Sequence, residues 1–188
     1  MTSMSAPPHS SPPSPDPRAG AVVAPLLLGC GVAVALGVYG SLHEPTGFSI
    51  NLSGFSSGTY VKSWLVTLAA LLAVSQLVSA RMLYTGATMS WLPGLHRWSG
   101  RVAVLLTVPV LVHCLYALGF ADYSPRVLIH SLAGCVFYGA FVTKMPSLSR
   151  RGRPAWLLPV TGGLTFTALI VLWLTSALWV FGSQGLHF

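Results

Sequence analysis

Five long apolar runs with almost no charge inside them decide what this chain can fold into. They cover about residues 21–41, 60–80, 98–120, 126–143 and 157–181. Hydrocarbon offers no water to a bare peptide group, so a run placed there must satisfy its own backbone, and a helix does so within one segment. At ~1.5 Å per residue, each run is close to the ~30 Å thickness of a bilayer core. The expected fold is an all-α membrane protein, a five-transmembrane-helix bundle. Composition agrees: 53% of the 188 residues are hydrophobic and 7% are charged, whereas soluble domains carry about a quarter charged residues.

Residues 1–19 form a Pro/Ser-rich tail with Pro7, Pro8, Pro12, Pro13, Pro15 and Pro17. Such a stretch cannot bury a core and is expected to be disordered. The first apolar run is longer than the core of a signal peptide and follows a long polar lead with Arg18 alone for charge, so it reads as a retained span. Residues 20–188 are then the membrane domain. Of the ten basic residues, Arg18, Arg81, Arg97, Arg101, Lys144, Arg150, Arg151 and Arg153 fall on one side, leaving Lys62 and Arg126 on the other. The positive-inside rule makes the first side cytoplasmic, with the N-terminus inside and the C-terminus outside a bacterial plasma membrane. The formal charge of +7 is spread thinly between apolar runs, with no basic stripe of the kind that binds nucleic acid. Membrane lipid is the expected surrounding.

His113 and His130 lie inside the third and fourth runs, on either side of one short loop. Ionisable groups inside spans usually face the protein interior and mark a site. Counting from the loop, their depths differ by about one helical turn. Two imidazoles at similar depth suggest a shared metal, and haem iron is the metal expected in a membrane. Gly134 stands one turn below His130 and would leave room for a flat ligand. Arg126 at the mouth would meet a propionate or a lipid phosphate. Two helix-packing histidines remain the alternative, and His43 or His187, just beyond the first and fifth runs, could replace either as a ligand. Adjacent helices joined by a short loop are not an easy pair to splay around a ring.

His96, with Arg97 and Arg101, and Lys144 mark the cytoplasmic ends of their spans. They read either as ordinary lipid anchoring or as a quinone-headgroup or anion site, and His96 is also a candidate for a further haem ligand. Cys30, Cys114 and Cys135 form no C-x-x-C and no haem-attachment motif, so a haem here would be non-covalent.

The stretch His96-Arg97-Trp98-Ser99-Gly100-Arg101, followed by Pro109-Val110-Leu111-Val112-His113-Cys114, His130-Ser131-Leu132-Ala133-Gly134 and Tyr138-Gly139-Ala140-Phe141, resembles an uncharacterised family of actinobacterial membrane proteins. More distantly it is similar to ferric-reductase-like and cytochrome b membrane proteins. That resemblance covers about residues 80–145. It implies haem b held by His113 and His130, with His96 less firmly carried over and with Arg97, Arg126 and Gly134 beside the cofactor. It also implies electron transfer across or along the membrane. Two-haem members place a second histidine about fourteen residues along the helix, where this chain has Ser99 and Lys144, so one haem per chain is expected. The chain carries no flavin or nicotinamide domain and is not a self-contained NAD(P)H reductase. It reads as the membrane subunit of an oxidoreductase with a quinone or a redox protein as partner, or alternatively as a small transporter, a channel or a structural membrane subunit. The three carboxylates, Asp16, Glu44 and Asp122, all lie outside the spans, which weighs against proton-coupled transport.

Overall fold

The computed structural model describes residues 17–48 and 51–187 of the chain. Every regular element among them is helical: α1 (Pro17–Leu42), α2 (Gly58–Tyr84), α3 (Leu92–His113), a π-turn (Cys114–Leu118), α4 (Pro125–Ser149), α5 (Leu157–Thr175) and α6 (Ala177–Gln184). Five helical stretches are long and apolar enough to cross a membrane, with α3 and the π-turn forming one and α5 and α6 another.

The spans lie where hydropathy puts them, while their ends follow local chemistry. The tail expected over residues 1–19 gives way to helix at Pro17, since a proline in the first turn removes a donor that has no helical partner there. The rest of that tail lies outside the described residues. The third helix starts at Leu92, earlier than the expected Trp98, with Pro93 in its first turn. The fourth is capped by Ser124, whose side chain accepts from the Val127 amide at 3.4 Å, and runs through Pro146 to Ser149 rather than stopping at Thr143. The fifth breaks at Ser176 (φ −119°, ψ −80°) and resumes as α6.

Packing follows the order α3–α2–α5–α4–α1, with α6 against α2, and the π-turn at the end of α3 touching α1. The five spans thus make a ring. The neighbours α3 and α4 make almost no contact along their length, although one loop joins them. The backbones of α1 and α4 cross closely. A Cβ built on Gly139 would stand 2.8 Å from the Gly29 carbonyl oxygen and 2.9 Å from Ala33 Cβ, and one on Gly29 would collide with Thr143 Oγ1 and the Gly139 carbonyl. Only glycine allows these backbones so close, which is a common way to gain van der Waals contact where lipid removes the hydrophobic drive. At the centre, Phe137 (1% exposed) packs with Val66, Ala69, Ala73, Ala168 and Leu169. Leu27 and Leu105 are 68% and 67% exposed, as suits a lipid-facing surface.

Serine and threonine side chains are satisfied inside the bundle. Ser63, Thr67, Ser79, Ser99, Thr143, Ser147, Thr161 and Thr165 each donate to the carbonyl four residues back. Among the described residues, no buried side-chain nitrogen or oxygen lacks a partner. This is the condition hydrocarbon imposes on Ser and Thr within a span.

Substituting Gly139→Val should wedge α1 from α4 and cost about 1–3 kcal/mol, the usual range for overpacking. Thermal unfolding in detergent should show the loss, and Gly31→Ala, whose Cβ would meet nothing within 4 Å, should leave the midpoint unchanged.

Candidate functional site

A cavity of about 100 Å³ lies inside the ring, in the half nearer the α3–α4 loop. All five spans contribute: Leu36 from α1, Val66 from α2, Thr107, Val110, Leu111 and Cys114 from α3 and the π-turn, His130, Gly134 and Tyr138 from α4, and Leu169 and Leu172 from α5. The cavity exists because α3 and α4 stand apart. Tyr138 bridges them, its hydroxyl 2.9 Å from both the carbonyl oxygen and Oγ1 of Thr107. Thr107 Oγ1 donates to the Val104 carbonyl at 2.7 Å, so the tyrosine is the donor in this bridge.

His130 is the polar group whose chemistry the surroundings define most closely. Its Nδ1 lies 3.0 Å from Thr175 Oγ1. The threonine hydroxyl has one proton, and it goes to the Val171 carbonyl at 2.7 Å. Thr175 then accepts from His130, and the Leu172 carbonyl, which also meets the ring, can only accept as well; with the proton of the neutral imidazole on Nδ1, Nε2 keeps a lone pair. Fixing one ring nitrogen to set the other is how proteins orient a histidine toward a ligand. Beside it, a Cβ on Gly134 would meet nothing nearer than Leu172 Cδ2 at 4.0 Å, so that face of α4 is open.

Arg126 stands at the mouth, in a structural setting. Its Nη1 donates to the Thr175 carbonyl at 2.6 Å, and its guanidinium lies 4.0 Å from the centre of the Trp179 ring. It holds the α5–α6 break and so buttresses the residue that orients His130.

His113 is not brought to this cavity. The lining residues of α3 and the π-turn follow helical spacing through Thr107, Val110, Leu111 and Cys114, and His113 stands roughly 100° around from Cys114. It lies instead in electrostatic reach of Lys62 on α2. His43 is engaged elsewhere: it stacks between Tyr39 and Tyr116, with ring centroids 5.1 and 5.2 Å away, and its Nε2 donates to the Tyr116 carbonyl at 3.2 Å. His187 sits edge-on to Tyr60 and accepts at its carbonyl from Trp64 Nε1 at 3.0 Å. His96 and Arg97 lie in the first turns of α3, at the opposite end of the bundle, where His96 Nδ1 is 2.9 Å from Ser79 Oγ. Arg97 is exposed there.

A bis-histidine haem between His113 and His130 does not fit this arrangement. His130 has the Nε2 lone pair an iron would take, but no second histidine lines the cavity. The volume is also well below the ~300–1,000 Å³ of ordinary cofactor pockets. Sequence reasoning missed three groups that matter here. Thr175 sets the tautomer, Tyr138 holds the gap, and Lys62, which reads as an interfacial charge, is half-buried within electrostatic reach of His113, Cys114 and His130. A lone lysine in the apolar run of α2 was the signal for the last; the other two carry none before the helices are placed.

Residues 22–188 match the model of a family described as a family of unknown function (DUF6529). No curated protein and no solved structure matches the chain.

Tyr138→Phe should lower the stability of the bundle by about 0.5–1.5 kcal/mol, the net worth of one hydrogen bond, because it removes the bridge from α4 to α3. Thermal unfolding of the purified variant in detergent checks this.

Proposed function

The chain belongs to the DUF6529 family, and we propose that it is a membrane subunit of an electron-transfer enzyme, binding a quinol-class ring at His130. The observation that carries the proposal is the lone pair on Nε2, set by Thr175, inside a mostly apolar cavity. A lone pair accepts, so the matching ligand group is a hydroxyl donor on an apolar ring. Size excludes a macrocycle: about 100 Å³ is below the ~150 Å³ that takes up benzene, so a single ring enters only by widening the cavity toward its open side.

Access also suits a lipid-soluble ligand. A groove of about 500 Å³ between α1 and α4, lined by Ala33, Val34, Gly37 and Leu132, shares Phe120 and Cys135 with the cavity. A ring carrying an isoprenoid tail can leave the tail in that groove. The electron-transfer part of the reading rests on the resemblance of residues 80–145 to cytochrome b-like membrane proteins. The chain's own part is to admit, orient and hold the ring, and a partner subunit supplies the redox group. The membrane is a bacterial plasma membrane with the arginine-rich end of the bundle in the cytoplasm, as the basic residues favour.

Solvent extraction of the purified protein should yield about one quinone per chain. His130→Ala should weaken binding of a short-chain quinol about tenfold or more, and Thr175→Val should weaken it less. A Soret band with a positive pyridine haemochrome assay would overturn the proposal and return His130 to an iron-ligand role. Recovery of neither quinone nor haem would sink both readings.

A further inference from the structure

A second polar layer lies at the arginine-rich end of the bundle, away from the His130 cavity. His96 on α3, Ser79 on α2, Lys144 on α4 and Gly162 on α5 each stand four or five residues in from a helix end. Four helices thus bring polar or side-chain-free positions to one depth, inside the spans.

Among the described residues Lys144 has no counter-ion. Of the three carboxylates in the chain, Glu44 and Asp122 belong to the opposite end, and Asp16 lies outside the described residues. Among the described residues, Lys144 forms neither an ion pair nor a hydrogen bond, and its electrostatic neighbour is His96. Its stem crosses α5 at Gly162, where a Cβ would come 3.8 Å from Nζ. An ammonium inside a span without an acid calls for an anion from outside the chain.

His96 defines what else that anion carries. Its Nδ1 meets Ser79 Oγ at 2.9 Å, while the serine proton goes to the Ser75 carbonyl at 2.6 Å. Ser79 then accepts, as does the Gln76 carbonyl that the ring also meets; with the proton on Nδ1, the neutral imidazole keeps a lone pair on Nε2. The backbone beneath is pinned as well: Gln76 Nε2 donates to the His96 carbonyl and to Ser99 Oγ. One donor, Lys144, and one acceptor, His96, thus lie within electrostatic reach at one depth.

We infer that this layer holds a phosphoglycerol group, its phosphate on Lys144 and a glycerol hydroxyl donating to His96 Nε2. The group can come from the head of an anionic phospholipid or from free glycerol phosphate. Arg97 and Arg101, both exposed at this end, attract either source without reading it.

The test is native mass spectrometry of the full chain in neutral detergent. It is challenged with equal amounts of phosphatidylglycerol, phosphatidylcholine and phosphatidylmethanol, which is anionic but lacks the glycerol hydroxyls. The wild type should retain one phosphatidylglycerol in preference to both others. Lys144→Gln should lower that retention about tenfold, whereas the Arg97→Gln/Arg101→Gln double variant should keep the preference. His96→Leu should abolish discrimination between phosphatidylglycerol and phosphatidylmethanol and keep that against phosphatidylcholine. A thermal shift with soluble glycerol phosphate separates the sources: stabilisation identifies the free anion, and its absence with lipid still retained identifies the lipid head. Equal retention of the three lipids by the wild type overturns the inference without recourse to a variant. So does a preference that survives Lys144→Gln or is lost with the two arginines alone.

Discussion

The ring of helices is closed by the carbonyls that the π-turn leaves free. A π-turn interrupts the regular ladder, and the groups it releases need donors from elsewhere. Here the segment after α1 provides them. The amides of Thr46 and Gly47 donate to the carbonyls of Tyr116 and Ala117 at 3.2 and 3.1 Å, and His43 Nε2 and Thr46 Oγ1 add bonds to Tyr116. The Phe120 amide donates to the Gly40 carbonyl at 2.7 Å. A Cβ on Gly40 would come 3.1 Å from that same amide nitrogen, so glycine lets the strap lie close. Once α1 is tied to the end of α3, α4 can pack on α1 and α5 rather than on its chain neighbour. The space between α3 and α4 follows from that choice.

That space explains why one histidine has a site and the other does not. Both belong to membrane-length helices, and counting residues puts them at similar depth. Depth alone does not bring groups together; azimuth does. His130 falls on the face of α4 that looks into the ring, whereas His113 is not among the residues lining the cavity. Neighbours joined by a short loop do stand apart here, because α1 and the π-turn are tied together.

The five spans were legible because length and hydropathy are local properties, and so was His130, as an ionisable group inside an apolar run. The helix ends were less so: Pro17 and Pro93 open helices in a way that hydropathy does not register. The order of helices around the ring was not legible, since it rests on the Gly29–Gly139 crossing and the strap to the π-turn, both contacts between distant residues. Thr175 was hidden for a related reason. A threonine bonded to its own helix looks the same in the sequence whether or not its oxygen also accepts from a histidine on another helix.

Between the His130 cavity and the Lys144 layer the buried residues Ala69, Ala73, Ala140 and Ala168 pack against the cavity floor formed by Phe137. This slab gives the molecule an electrical character. A charge carried across the whole membrane does work of about 2.3 kcal/mol per 100 mV, and most of that voltage falls across a dry, low-dielectric layer. Events confined to either end move charge through only a small part of the field. The ligand exchange proposed at His130 and the headgroup exchange inferred at Lys144 would therefore be nearly blind to the membrane potential, each belonging electrically to its own leaflet.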